Sequence, residues 1–410
     1  MTMKSNNSSV FGAGSGVPAS LREASTRRRF LMAAGGALLA AGCTSSLTKP
    51  EPPTPSKAGT GLDGHHRSRL KLTLRQFELP LKHTFTLSGG SKNLARTLIV
   101  ELAQDGMCGY GEGPESNYYG ASLDIIRAAL EQTRPQIEAA RWNDPAEFWE
   151  QIRPVLEGHP FAQCALDEAA HDLWGKQRGQ PVWKLWGLDC AAGPPTDYTI
   201  GIDTIEVMVA KMREFAGWPI YKIKLGTPQD VEIVQALRRH TSAVFRVDAN
   251  AGWTVTETLR KAPVLAGLGV EFIEQPLPPE DWAGMKEVFP RCALPVIADE
   301  SCRTEADVDR CRECFHGINI KPAKCGGLAP ARRMIAHARQ LRLKVMVGCM
   351  TESTVGISAI AQLRPMLDYV DMDGALLLAK DIATGVTIKK GRVKYPRENG
   401  CGVRLLVPNS

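Results

Sequence analysis

The sequence predicts an α/β protein, a (β/α)7β TIM-like barrel preceded by an α+β capping domain. Three observations carry this expectation. Short apolar, β-branched segments recur from residue 197 onward, beginning near Asp197, Ile220, Val244, Gly269, Leu294, Gly317, Leu343 and Tyr369, at intervals of 23–26 residues. The stretches between them have helical spacing: within Pro228–His240, Val231, Val234 and Leu237 recur three apart and leave the charges on the other face. No Gly-rich phosphate fingerprint follows the first strand, as it usually does in a doubly wound sheet, whereas eight strands each followed by room for a helix suit a closed parallel barrel.

The elements before the barrel follow a different order. Thr97-Leu98-Ile99-Val100-Glu101-Leu102 alternates like a strand, Gly109-Tyr110-Gly111-Glu112-Gly113 reads as a Gly-rich turn, and the pattern is helical from Ser122 to about Gly187. Strands first and helices after indicate a separate α+β lobe over residues 70–190, with the barrel over 191–380. The tail, 381–410, alternates again and is expected to return to the lobe, which would roof the barrel mouth.

The first residues read as address rather than structure. Thr26-Arg27-Arg28-Arg29-Phe30-Leu31 precedes an apolar stretch of small residues from Leu31 to Ala41, too short to span a bilayer, and resembles a twin-arginine export signal. Ala40-Ala41-Gly42-Cys43 is similar to a lipoprotein cleavage box, with Ala40 where leucine is usual, so residues 1–43 imply the twin-arginine export machinery, a lipid anchor at Cys43 and a periplasmic destination. An ordinary cleaved signal with an incidental cysteine is the plainer alternative. Residues 44–69 are rich in Pro, Ser, Thr and Gly without apolar periodicity, the composition of a tether.

Composition excludes several classes. At 410 residues, 43% hydrophobic and 23% charged, the chain is neither fibrous nor a multi-span membrane protein. The net charge of +6 arises largely from residues 1–42, which hold Lys4, Arg22, Arg27, Arg28 and Arg29 against Glu23 alone. With 6% aromatics and no basic stripe among them, a nucleic-acid partner is not expected. Of the eleven cysteines, those other than Cys43 show no compact disulfide spacing; Cys325 and Cys349 sit in apolar runs as expected of free thiols, and Cys311-Arg-Glu-Cys314 with His316 has half of a zinc-site spacing.

The chemistry lies where the barrel strands end, because loops there converge on one open face. Lys222 and Lys224 lie two apart and so point to the same side of the second strand. Asp248 ends the third strand, Glu274 the fourth and Asp299 the fifth; the sixth supplies Lys321 and the eighth Asp371 and Asp373, again two apart. Adjacent strands lie about 4.8 Å apart, so three such carboxylates can share one hard dication, and oxygen-only ligation favours Mg²⁺ over zinc. Lysines from the second and sixth strands then face a central metal from opposite sides. A metal-held carboxylate eases loss of its neighbouring α-proton by stabilising an enediolate, one lysine takes that proton, the other returns one to the opposite face, and the stereocentre inverts. Such a base must have its pKa brought from about 10.4 toward 7–8, worth about 4 kcal/mol, and the influences on these lysines oppose one another. Each piece alone has an ordinary reading: a solvated strand end for Lys-x-Lys, a turn for Asp-x-Asn, a proline stop for Glu-Gln-Pro, a helix cap for Asp373. Their common phase at successive strand ends is what such readings leave unexplained.

Those motifs resemble the enolase superfamily, in its muconate-cycloisomerase-like subgroup and its dipeptide epimerases, over nearly the whole chain from about Leu72. The resemblance implies Lys224 and Lys321 as acid/base pair, Lys222 as electrostatic helper, and Asp248, Glu274 and Asp299 as ligands of one Mg²⁺ per subunit. Val347-Gly348-Cys349-Met350-Thr351-Glu352 lacks the histidine of the mandelate-racemase branch. Asp371-x-Asp373 matches the pair that grips a dipeptide's ammonium, which implies epimerisation of the dipeptide's C-terminal residue, with L-Ala-D/L-Glu from murein peptides as leading substrate. The lobe loop Leu87-Ser88-Gly89-Gly90-Ser91-Lys92 lacks the arginine expected for a Glu side chain; Lys92 is the substitute, a point charge rather than a fork. Tyr118 and Glu352 complete the expected substrate surroundings, while Glu115, in the polar and aromatic second lobe loop Pro114-Glu115-Ser116-Asn117-Tyr118-Tyr119-Gly120, equally favours a cationic side chain. The rivals are a muconate cycloisomerase, an o-succinylbenzoate synthase-like enzyme, and a solute-binding lipoprotein on an inactive barrel. One chain leaves a homo-oligomer open.

Overall fold

The computed structural model describes residues 68–87 and 90–406. The export signal, Cys43, the tether up to residue 67, and Ser88 and Gly89 lie outside the described residues. The lobe opens with an antiparallel meander, β1 (Lys71–Leu87), β2 (Gly90–Gln104) and β3 (Met107–Pro114). Asp105 and Gly106 join β2 to β3 with φ of 51° and 77°, the left-handed pair that matches the twist of a two-residue hairpin. The glycine run 109–113 forms β3 rather than the expected turn. Its reason is packing: a Cβ at Gly109 or Gly111 would fall 2.2 Å from Ala169 O or 2.1 Å from Ala165 O, so only glycine lets the helix above lie on the strand.

That helix is α3 (Pro160–Gln177), preceded by α1 (Leu123–Ala139) and α2 (Pro145–Ile152). Ser122 caps α1 by accepting from Ile125 N, and Asp144 caps α2 ahead of Pro145 by accepting from Ala146 N and Glu147 N. Buried Leu98, Val100 and Leu102 of β2 meet Ile126, Leu130 and Ala169 in the lobe's own core.

The barrel strands are β4 (Tyr198–Ile200), β5 (Ile220–Lys224), β6 (Val244–Asp248), β7 (Val270–Glu274), β8 (Val296–Ala298), β9 (Gly317–Ile320), β10 (Lys344–Gly348) and β11 (Tyr369–Asp371). They pair in parallel in sequence order, and a parallel bridge from Thr196 to Val370 joins the last to the first. A 3-10 turn, Gly374–Leu377, follows β11 where an eighth helix would stand. Below the mouth, buried Arg246 reaches Asp197 at 2.9 Å and Glu271 at 2.8 Å and lies over the Phe272 and Tyr369 rings, so charge inside the ring is paired.

The tail pairs with itself, Ala383–Thr384 with Arg404–Leu405 and Thr387–Lys389 with Arg392–Lys394, rather than joining the lobe sheet. It returns to the lobe through α3: Asp172 accepts from Cys401 N at 2.8 Å, and Lys176 donates to Val403 O at 3.2 Å.

Two lobe carboxylates finish barrel helices. Asp167 of α3 accepts from Leu328 N at 2.6 Å and Ala329 N at 3.1 Å at the start of helix Leu328–Gln340, whose own N-cap, Gly327, has no side chain to offer. Glu112 of β3 accepts from Ser353 N at 3.0 Å, Ser353 Oγ at 2.5 Å and Gly356 N at 3.0 Å at the start of helix Thr354–Leu363.

Candidate active site

Strand register sets the site's level. Lys224 of β5 pairs with Asp248 of β6, and Asp248 with Glu274 of β7, so three functional side chains leave the ring at one height. Asp299 follows β8 and Lys321 follows β9. Left-handed backbone at Asn250, Ala251 and Gln275, with φ of 43°, 62° and 34°, turns the chain away just after the β6 and β7 ends. Gln275 then ties the next loop, its Oε1 accepting from Asp299 N at 3.0 Å and Ser301 N at 3.1 Å.

Ligand oxygens of Asp248, Glu274 and Asp299 lie within 4.8 Å of one another, all three residues buried. Burial and the Asp248 charge push the Glu274 carboxyl up to about 7, the mark of negative groups crowded together. This donor set, three hard oxygens with positive side chains around them, fits a small divalent cation.

Lysines flank the cluster. Lys224 Nζ lies 2.6 Å from Asp248 Oδ2, and on the other side Lys321 Nζ lies 2.7 Å from Asp299 Oδ2. Lys222, one layer deeper, contacts Asp248 at 3.2 Å, Glu274 at 2.8 Å and Asp371 at 2.8 Å. Burial pulls the Lys222 amine down, but Asp371, Glu274 and Asp248 together hold it well above the usual range; for Lys321 burial is likewise outweighed by Asp299 and Tyr119. Lys324 was not anticipated. Its buried ammonium donates to Asp299 Oδ1 and O at 2.5 Å, Cys302 O at 3.0 Å and Asn319 O at 3.2 Å, fixing the Asp299 carboxylate, while Asn319 Nδ2 fixes Glu274 Oε1 at 2.8 Å. Its place three residues after Lys321 was the available signal.

The β11 end supplies the second acidic group. Asp373 does not cap the 3-10 turn; it accepts from Thr199 N at 2.6 Å and Thr199 Oγ1 at 3.3 Å across the closure of the ring. Burial and Asp371 push Asp373 up to about 7, while for Asp371 the cost of burial is exceeded by Lys222 and Lys224, leaving it at about 2.

The lobe contributes less evenly. Lys92 has no carboxylate within ion-pair distance among the described residues; burial lowers its pKa against the fields of Cys349, Glu115 and Glu352. Tyr118 is 63% exposed, edge-on to Tyr119 at 4.8 Å. Both hydroxyls feel Asp299, but Tyr119 also feels Lys321 and its ring packs against Phe161 at 5.8 Å, so Tyr119 is the more buried of the pair. Glu352 is buried, accepts from Met350 N at 2.6 Å and is pushed up to about 8 by burial and Glu112, with Lys321 and Lys92 in its field.

Residues 70–187 match the mandelate racemase / muconate lactonizing enzyme N-terminal domain, and residues 205–408 the enolase C-terminal domain-like family. The chain belongs to the enolase superfamily. Within it, an L-Ala-D/L-amino acid epimerase of Flavobacterium johnsoniae is 55% identical over 337 residues, covering 82% of this chain and all of that protein. A substrate-liganded L-Ala-D/L-Glu epimerase from Bacillus subtilis superposes with TM-score 0.78 at 28% identity, covering 82% of this chain and 98% of its own. A dipeptide epimerase from Enterococcus faecalis V583, complexed with Mg and L-Leu-L-Tyr, superposes at 0.76 with 30% identity, covering 82% and 99%. The superfamily's two-part build is the lobe and barrel described above.

Proposed function

We propose that this protein is a Mg²⁺-dependent dipeptide epimerase that inverts the α-carbon of the dipeptide's C-terminal residue. The observation that carries the reading is the placement of Lys224 and Lys321 on opposite sides of the Asp248–Glu274–Asp299 cluster, with Asp371 and Asp373 beside it. Asp248, Glu274 and Asp299 would hold the ion, which when bound polarises the substrate carboxylate and eases loss of the α-proton. One lysine Nζ takes that proton on one face and the other gives a proton to the opposite face, so inversion needs no net change in protonation of the pair. Lys222 adds fixed positive potential beneath the substrate carboxylate. Asp371 and Asp373 pair the ammonium, which a muconate or a succinylbenzoate precursor lacks.

The leading substrate is L-Ala-D/L-Glu from murein peptides. The side-chain nitrogen of Lys92, with no carboxylate within ion-pair distance among the described residues and in the fields of Cys349 and Glu352, supports an acidic side chain at the second residue. Residues 26–43 support export and lipid attachment at Cys43, which would put the enzyme where murein peptides are released and make it part of their recycling. The test is incubation of the Mg²⁺-loaded protein with a dipeptide library in D₂O. Deuterium at the second residue's α-carbon is expected, strongest with Ala-Glu and reduced for acidic side chains in K92M. Turnover of a cyclic lactone or a succinylbenzoate precursor with no dipeptide exchange would overturn the reading.

A further inference from the structure

Beside the proposed ammonium subsite stands a group that an ammonium does not require. Sγ of Cys349, after β10, and carboxylate oxygens of Asp371 and Asp373 lie within 4.8 Å of one another. Asp371 Oδ2 is engaged by Lys222 at 2.8 Å, while Asp371 Oδ1, on a side chain 7% exposed, is buried with no N–H or hydroxyl donor; the neighbouring carboxyl of Asp373 is the group that hydrogen-bonds to Asp371. A buried carboxylate oxygen that no N–H or hydroxyl reaches leaves room for a cation. Gly374 leaves the sulfur its space, since a Cβ there would stand 3.2 Å from Sγ and 2.5 Å from Met350 O. Cys349 as a residue is partly exposed.

We propose that Cys349, Asp371 and Asp373 form a second cation site that takes a thiophilic divalent ion, Zn²⁺ above all, and that this ion excludes the dipeptide. Mixed sulfur and oxygen ligation with an open fourth position suits zinc, whereas the all-oxygen set of Asp248, Glu274 and Asp299 suits magnesium. The barrel mouth therefore holds two cation sites of different softness, with Lys222 between them in contact with Asp371 on one side and Asp248 and Glu274 on the other. On binding, the S–H bond breaks, the S–Zn bond forms and the proton leaves to solvent; no electrons are transferred. Exclusion of dipeptide rests on the proposed function, but binding of the ion does not.

The test uses the full chain saturated with Mg²⁺. Cd²⁺ is added while the thiolate-to-cadmium ultraviolet band is followed, and Zn²⁺ is titrated by calorimetry. The expected result is one Zn²⁺ per chain beyond magnesium, a charge-transfer band, and affinity at least tenfold weaker in both C349A and C349S. Zn²⁺ is expected to compete with the dipeptide, its inhibition constant rising at least tenfold in both variants while zinc-free turnover stays at the wild-type rate. Absence of the band, equal zinc affinity in the variants, or zinc that binds only by displacing magnesium would overturn the proposal. Zinc binding with the band in a protein that turns over no dipeptide would uphold the site and refute the epimerase reading instead.

Discussion

Replacing Asp373 by Asn tests the ammonium subsite with little disturbance, because the amide oxygen can still accept from Thr199 N, now 2.6 Å from Oδ2. An ammonium about 4 Å from a carboxylate gains about 4 kcal/mol at an effective dielectric of about 20. Two features reduce that figure. Asp371 remains, and with Asp373 pushed up to about 7, about half of the molecules at neutral pH must first lose a proton. A net loss of about 1.5–3 kcal/mol follows, or about 10- to 150-fold in KM with a smaller change in kcat. The assay is initial α-deuteration of a free-amine dipeptide and of its N-acetyl analogue, by wild type and D373N. Wild type is expected to prefer the free amine, and D373N to lose about 10- to 150-fold of that preference by acting on the free amine alone. Below about pH 7 the Asp373 carboxyl carries its proton and cannot pair an ammonium, so wild-type kcat/KM for the free amine should rise as pH passes upward through 7, and D373N should lack that rise. Equal losses on both substrates, or none, would refute the assignment.

K224A and K321A should each abolish epimerisation by about 10³-fold or more, yet each should still exchange the α-proton of one stereoisomer, opposite for the two variants, in D₂O followed by mass spectrometry. Glu274 and Asp373 are pushed up to about 7, and Glu300 and Glu352 to about 8, so between about pH 4 and pH 8 the folded chain keeps protons that the unfolded chain has released. Thermal stability without magnesium should therefore fall as pH rises from 6 to 8.5, and added Mg²⁺ should restore more at 8.5 than at 6; a rising curve would contradict the sign. E112A strands Ser353 N, Ser353 Oγ and Gly356 N, and should lower unfolding free energy by on the order of 3 kcal/mol, measured in urea.

The barrel was legible because its signal is periodic. Ile220, Val244, Gly317 and Tyr369 begin strands where the apolar pattern begins, and the other four begin within two residues. Lys222, Lys224, Asp248, Glu274, Asp299 and Lys321 were legible because strand phase aims side chains two apart the same way. Tyr119 was missed because a 3-10 turn, Asn117–Tyr119, sets which ring is the more buried, and neighbouring tyrosines are alike in composition. Glu112 was read as part of a turn because its purpose lies 241 residues away, at Ser353. A local cap stood as the ordinary alternative for Asp373 because its partner, Thr199, belongs to the first strand, which sequence places at the far end of the barrel.

Because Asp167 and Glu112 complete the N-terminal turns of helices 328–340 and 354–363, the barrel depends on its lobe for more than a roof. A chimera that exchanges the whole lobe to change substrate range must bring an aspartate and a glutamate to those same two helix ends, or the barrel frays next to its own catalytic loops. Exchanging only residues 87–92 and 115–121 leaves both anchors in place, which makes those two short segments the natural unit of transplantation.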